Sequence, residues 1–333
     1  MTAGGDAPPR MPRVFVTRRL PGDALDRLAR EAEVDLWPGD VPPPYDVLVE
    51  RTAGADALIC LLTDRIDAAL IDAAPALRVI STVAVGYDNI DVAAATRRGI
   101  PVGNTPGVLT ETTADLAFAL ILATARRVVE ADRHVRAGLW RTWDPNLLLG
   151  YDVHRATIGI IGFGKIGRAV ARRAHGFGMR VLCTGRAPLE DPAAPAQPVA
   201  LDDLLRASDF VSLHVPLTPD TARMIGEREL RLMKPTAILI NTARGGVIDQ
   251  PALVRALEEG WIAAAGLDVA AVEPIPPGDA LLRAPNTVLL PHIGSASHAT
   301  RERMAAMAVD NTLAALRGEP LPNCVNPEVY ESR

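Results

Sequence analysis

Runs of consecutive apolar residues alternate with stretches of helical period along almost the whole chain. Parallel strands covered on both faces read as such runs, so the pattern predicts a series of βα units. In the first third the strand signals fall at Arg13–Thr17, Ala57–Leu62, Val79–Val85 and Pro101–Asn104. Amphipathic stretches such as Asp23–Glu33 and Asp91–Arg98 lie between them. Thr110 to Ala137 predicts one long helix, opened by Thr110 with Thr113 three residues on. It is apolar nearly all round from Leu116 to Ala125, which predicts burial between domains. Gly138–Asp152, with Trp140, Trp143, Pro145 and Leu147–Leu149, breaks the rhythm and predicts an extended, partly apolar arm. A second series starts at Ala156, with strands expected at Thr157–Ile161, Arg180–Thr184, Phe210–Val215, Ala237–Thr242, Ala264–Val269 and Thr287–Leu290. Six such strands complete a doubly wound sheet. The last helix, Ser297–Arg317, follows that sheet, and folding back onto the first domain would make that domain discontinuous. No tandem repeat is present, and the only compositionally biased stretch is the Pro/Ala-rich Pro188–Pro198.

Length agrees with this division: 333 residues, at about 100–200 per domain, predict two domains. With 48% hydrophobic and 23% charged residues the composition is that of a soluble globular protein. A net charge of -5 carries no electrostatic footprint for nucleic acid or an anionic membrane. Only 4% of residues are aromatic, so the cores must be built from Ala, Val, Leu and Ile. Lys165 and Lys234 are the only lysines, a bias read as genome composition. Cys60, Cys183 and Cys324 are odd in number and widely spaced. That excludes a disulfide framework or a cysteine zinc site, predicts no metal, and fits a reducing cytosol. Met1–Pro12 is polar and Pro/Gly-rich, unlike a secretory leader. The longest apolar run, Leu116–Ala125, is too short to span a bilayer. A cytoplasmic protein is expected.

Candidate chemistry begins at Gly162-Phe163-Gly164-Lys165-Ile166-Gly167, a G-x-G-x-x-G between a strand and a helical run. Alone the pattern is weak, but a strand-to-helix junction in a βαβ unit is the context it requires. Gly162 allows the tight turn, Gly164 the approach of a pyrophosphate, and Gly167 close packing of helix on strand. The helix N-terminus supplies amide donors and its dipole. At the tip of the next strand, where an acid would bind a ribose 2′-hydroxyl, stand Thr184-Gly185-Arg186. A guanidinium suits a 2′-phosphate, so NADP(H) is expected over NAD(H).

Further along come Asn241-Thr242-Ala243-Arg244-Gly245, Gly266-Leu267-Asp268-Val269 with Glu273-Pro274, and Pro291-His292-Ile293-Gly294-Ser295. Arg244, Asp268, Glu273 and His292 all fall at or just after predicted strand ends, where ligands bind in open α/β sheets. Taken in order with the mid-chain glycine motif, these segments resemble the D-isomer-specific 2-hydroxyacid dehydrogenases, from Val14 to Pro322. Within that family Ser81–Gly86, Thr110–Leu116, Thr184-Gly185-Arg186 and the two tryptophans look most like glyoxylate/hydroxypyruvate reductases.

The resemblance implies two doubly wound domains. A Rossmann nucleotide domain at 107–290, carrying a dimerisation arm at about 138–152, is inserted into a discontinuous flavodoxin-like substrate domain at 1–106 and 291–333. It also implies a cytosolic homodimer with the active site between the domains. Reducing a 2-keto acid puts negative charge on the carbonyl oxygen, and His292 can deliver a proton there. Glu273 is the carboxylate that favours the imidazolium, and Arg244 binds and polarises the substrate. The backbone N–H groups of Val85 and Gly86 are expected to hold the substrate carboxylate, with Ser295 in reach. Besides the glycine motif and the Thr184–Arg186 tip, the cofactor is expected to touch Thr113, His214-Val215-Pro216 and Thr221. Thr242, Ala243, Arg244, Asp268, His292 and Gly294 complete that set, with Asp268 orienting the nicotinamide amide. His134, His154, His175 and His298 read as structural. The expected reaction is NADPH-dependent reduction of glyoxylate to glycolate and of hydroxypyruvate to D-glycerate. Alternatives are a 2-ketogluconate or aromatic 2-keto acid reductase, 3-phosphoglycerate dehydrogenase, and a dinucleotide-sensing corepressor without turnover. Trp140 and Trp143 read as dimer-arm packing, and the resemblance allows Trp143 to enter the partner's pocket.

Overall fold

In a computed structural model the described residues are 10–185 and 191–331. The chain divides into two compact units. One runs to Val108 and resumes at Ser297, and the other is Leu109–Ala296. The boundaries implied by the resemblance, 106/107 and 290/291, lie a few residues earlier.

The first unit opens with β1 (Arg13–Val16), α1 (Ala24–Leu28), β2 (Glu33–Leu36), α2 (Tyr45–Ala53), β3 (Ala57–Cys60), α3 (Ala68–Asp72), β4 (Val79–Thr82), α4 (Val92–Arg97) and β5 (Val102–Gly103). The five strands are parallel in the order β2-β1-β3-β4-β5, the flavodoxin-like winding. β3 and β4 are buried at every residue. Phe15, Leu58 and Ile80 meet Leu70, Ile71 and Ala94 in one core. Asp67 and Asp91 cap α3 and α4 by accepting the N–H groups of Leu70 and Ala94. One strand contradicts expectation. Asp23–Glu33 holds only the short α1, and Glu33–Leu36 pairs with β1 as an edge strand. Its polar–apolar alternation is what an edge strand carries, whereas a run of apolar residues marks the central ones.

The second unit contains α5 (Thr110–Ala125), α6 (Val128–Arg136), β6 (Thr157–Ile161), α7 (Lys165–Gly176), β7 (Arg180–Thr184), β8 (Gln197–Pro198), α8 (Leu201–Ala207), β9 (Phe210–Leu213), α9 (Glu227–Leu232), β10 (Ile238–Asn241), α10 (Gln250–Glu258), β11 (Ala264–Leu267) and β12 (Thr287–Leu289). Its seven parallel strands run β12-β11-β10-β9-β6-β7-β8, the Rossmann order with one strand added at the β12 edge. An apolar core lies on each side, one around Ile121, Val170 and Ile240, the other around Leu204, Leu239 and Leu253. β8 falls in the Pro/Ala-rich stretch that shows no strand signal, and Pro198 is tolerated there because β8 is an edge. The chain then rejoins the first unit as α11 (His298–Leu316), capped by Ser297. Ser81 Oγ donates to the Ala308 carbonyl at 3.0 Å and ties α11 to β4.

The single helix expected over Thr110–Ala137 is two helices. Arg127 takes the left-handed conformation (φ 53) between α5 and α6, and its guanidinium pairs with Glu130. Tyr151 N–H donates to the Ala125 carbonyl at 2.9 Å, so the returning chain caps α5 at its last residue. Residues 138–152 form no strand or helix and expose Leu139, Trp140, Trp143 and Leu149. Among the described residues no helix is long and apolar enough to cross a membrane.

At several carboxyl ends the apolar signal overran the paired ladder. Val83–Val85, His214-Val215, Thr242 and Asp268-Val269 lie beyond the last paired residues. Those overhangs carry the candidate site residues Val85, His214, Val215, Thr242 and Asp268.

Candidate active site

Three neighbouring strand ends of the second unit build a charged group. At the end of β10, fully buried Asn241 shapes the following loop with one side chain. Its Nδ2 donates to the Arg244 carbonyl at 2.9 Å and its Oδ1 accepts the Ala243 N–H at 3.0 Å. A Cβ on Gly245 would lie 1.9 Å from the Ala270 carbonyl, so only glycine lets this loop rest on the one after β11. Asp268, just past β11, is 1% exposed, and both its oxygens are engaged. Oδ1 accepts the Ile293 N–H and Oδ2 the Gly294 N–H, each at 2.7 Å, while the Asp268 carbonyl accepts the His292 N–H at 2.9 Å. Burial pushes the Asp268 carboxyl up, and those two N–H groups pull it part of the way back. The bracing has a purpose. His292 is left-handed (φ 56), a conformation costing a non-glycine residue about 1–2 kcal/mol. The hydrogen bonds from residues 292–294 hold it there.

His292 Nδ1 lies 2.6 Å from Glu273 Oε2, and Glu273 Oε1 accepts the Ala270 N–H at 3.0 Å. Burial acts to raise the Glu273 carboxyl. The hydrogen bond and charge of His292, the Ala270 N–H and the Arg244 charge outweigh it and hold Glu273 below its usual range. Arg244, Glu273 and His292 are therefore one electrostatic group. An ionised Glu273 accepts Nδ1–H and leaves Nε2 to carry a proton outward. Half-buried Ser295 follows Gly294, whose backbone packs beside Thr113 of α5.

The second set lies where the strand order reverses, between β6 and β9. Gly162 has φ +95, and a Cβ there would lie 2.5 Å from the His214 carbonyl oxygen. A Cβ on Gly167 would lie 2.2 Å from the Gly162 carbonyl oxygen, whereas Gly164 has nothing within 4 Å. Two glycines serve packing, and the middle one leaves the approach to the α7 N-terminus open. Phe163 is buried in the core with Ile166 packed against it, so both offer backbone here, and Lys165 opens the helix. His214 Nε2 lies 2.8 Å from Ser212 Oγ, and burial pushes its imidazole down to about 4. Thr221 Oγ1 donates to the Pro216 carbonyl at 2.6 Å and closes the turn after Val215. The buried Thr242 Oγ1 has no partner among the described residues. An open glycine cradle at the end of β6 and an orphaned hydroxyl past the end of β10, with β9 between them, fit a dinucleotide. Thr184 and Gly185 stand at the end of β7, and Arg186 lies outside the described residues.

Val85 and Gly86 belong to the first unit, half-buried beyond the end of β4. The Val85 carbonyl accepts from Asn104 Nδ2 at 2.9 Å.

Residues 118–294 match the family model described as D-isomer specific 2-hydroxyacid dehydrogenase, NAD binding domain. The chain belongs to that family. Over 325 residues it is 58% identical to the glyoxylate reductase of Korarchaeum cryptofilum, covering 97% of this chain and 98% of that one. The crystal structure of the TT0316 protein from Thermus thermophilus matches at TM-score 0.89 and 52% identity over 94% of this chain and 99% of that chain. The NADPH-dependent glyoxylate/hydroxypyruvate reductase of Sinorhizobium meliloti, in complex with NADP and malonate, matches at TM-score 0.85 and 34% identity over 96% and 98%. This 2-hydroxyacid dehydrogenase is an NAD(P)-dependent oxidoreductase.

Sequence reasoning missed Asn241, Gly245 and Asn104. Asn241 and Gly245 stand inside a quoted motif, where only their flanking position to Arg244 drew attention. Asp268, expected to orient the nicotinamide amide, has both carboxylate oxygens on the His292 loop and braces it.

Proposed function

We propose that this dehydrogenase reduces small 2-keto acids with NADPH, taking glyoxylate to glycolate and hydroxypyruvate to D-glycerate. The observation that carries the reading is the His292–Glu273 pair at 2.6 Å, with the Arg244 charge acting on the same carboxylate. A bound reduced nicotinamide supplies the hydride to the carbonyl carbon. As the carbonyl π pair moves onto oxygen, His292 delivers its Nε2 proton there, and Glu273 stabilises the imidazolium before transfer. Arg244 binds the substrate and polarises its carbonyl, while the N–H groups of Val85 and Gly86 take the carboxylate. Residues 162–167 receive the pyrophosphate, with Thr113, the 214–216 segment, Thr221 and the 242–244 loop along the rest of the dinucleotide. The absence of an acid in Thr184-Gly185-Arg186 favours NADPH. The names of the relatives support the substrate class. Exposed Trp140 and Trp143 support a homodimer in which the 138–152 arm is covered.

The test is a panel of 2-keto acids followed by nicotinamide absorbance, with NADPH and NADH in parallel. Turnover of glyoxylate and hydroxypyruvate, faster with NADPH, is expected. NADPH binding without turnover of any 2-keto acid would overturn the reading in favour of a sensor, and equal use of NADH would overturn the cofactor preference.

A further inference from the structure

We propose that Asn104 is a positioning residue for the substrate carboxylate, aiming the N–H groups of Val85 and Gly86 from the segment beyond β5. The proposal rests on the assignment of those two N–H groups to the carboxylate. A trans peptide is planar, with its C=O and N–H directed to opposite sides. The direction of an N–H is therefore set by whatever holds the carbonyl of the residue before it. The Val85 carbonyl shares its peptide with the Gly86 N–H, and it accepts from Asn104 Nδ2 at 2.9 Å. The Ala84 carbonyl shares its peptide with the Val85 N–H, and it accepts from the Thr105 N–H at 2.9 Å. One two-residue segment thus pins both peptide planes, and both N–H groups point away from it. Among the described residues neither N–H donates to a protein acceptor.

The segment is itself held from behind. The Asn104 carbonyl accepts from Asn311 Nδ2 at 3.0 Å, and the Asn104 N–H donates to the Asn323 carbonyl at 3.3 Å. Asn311, fully buried on α11, also accepts the Asn323 N–H on its Oδ1 at 3.0 Å. It uses the amide as donor and acceptor at once, which neither a carboxylate nor an apolar side chain can do. Gly103 makes room for it, since a Cβ there would lie 2.8 Å from Asn311 Nδ2. The last helix and the C-terminal segment therefore set the angle of a loop that follows β4.

Steady-state kinetics with NADPH and glyoxylate test this on Asn104→Ala, Asn104→Asp and Asn311→Ala. Asn104→Ala is expected to raise the glyoxylate KM by about tenfold or more, with kcat changed by less than about threefold. NADPH affinity, titrated by nicotinamide fluorescence, stays at the unsubstituted value. Asn104→Asp keeps the shape without the donor and serves if the alanine variant does not fold. Asn311→Ala acts through Asn104, so it shifts KM in the same direction by less and lowers Tm. An unchanged KM in a folded Asn104 variant overturns the proposal while the functional reading stands. KM, kcat and NADPH affinity worsening together would also overturn it, because that is the signature of a general structural defect. An unsubstituted enzyme that reduces no 2-keto acid overturns the functional reading and this proposal with it.

Discussion

The two parallel sheets are wound by one logic, yet their carboxyl ends carry different chemistry. In the second unit β10, β11 and β12 end in charged side chains: Arg244, the Glu273 that follows Asp268, and His292. In the first unit the loop after β4 offers peptide N–H groups at Val85 and Gly86, steered by neutral amides. Side chains carry protons and full charges, so they suit the reacting carbonyl. Backbone donors carry no full charge and do not give up their hydrogen, which suits an anion that is bound and not transformed. The supports differ accordingly. A charged site needs a buried brace such as Asp268, whereas a backbone site needs its peptide planes fixed.

The contrast breaks most visibly at His292. His292→Ala removes the only proton carrier assigned to the reaction, and kcat should fall about 10²–10⁴-fold with NADPH affinity retained. Turnover near the unsubstituted rate would take the acid role from His292. Asp268→Asn sharpens the contrast by leaving the reacting groups in place and disturbing their brace. One oxygen becomes an NH2 group facing a backbone N–H, so folding stability should drop by about 1–3 kcal/mol in denaturant titration. kcat should fall with it, by less than for His292→Ala, and an unchanged kcat would show that the brace does not serve the histidine.

The third effect is in pH. Burial lowers the His214 imidazole to about 4 from its ordinary 6.5, so the unfolded chain takes up this proton first as pH falls. Tm should decline between pH 6.5 and about 4 on this account, and His214→Gln should flatten that decline. Glu273 adds to the loss lower down. Its carboxyl is held below the usual 4.5, so the stability of its pair is present above that value and lost as pH falls through the lowered one. A Tm flat from pH 6.5 to 4 in the unsubstituted protein would mean that His214 is protonated as readily folded as unfolded.

Much of this was legible in the chain. Apolar runs marked every central strand, and strand-end placement separated His292 from the four histidines read as structural. The glycine spacing was legible because each position meets a local demand: a positive φ at Gly162, open approach at Gly164, packing at Gly167. β2 was missed because an edge strand alternates in polarity, and β8 because it is two residues long with a proline. The break at Arg127 was missed because its cause is Tyr151, which caps Ala125 from beyond the arm.

Residue type and order alone determined the fold class, the family and the charged candidate groups, because those rest on side-chain chemistry and local periodicity. Tertiary structure decided where the backbone donors point, which residues brace His292, and that Asn311 reaches Asn104 across more than two hundred residues. Every residue except proline carries an N–H, so residue type marks neither the direction of the Val85 and Gly86 donors nor what holds them. That direction is a property of the peptide plane, and that plane is fixed by hydrogen bonds from residues distant along the chain.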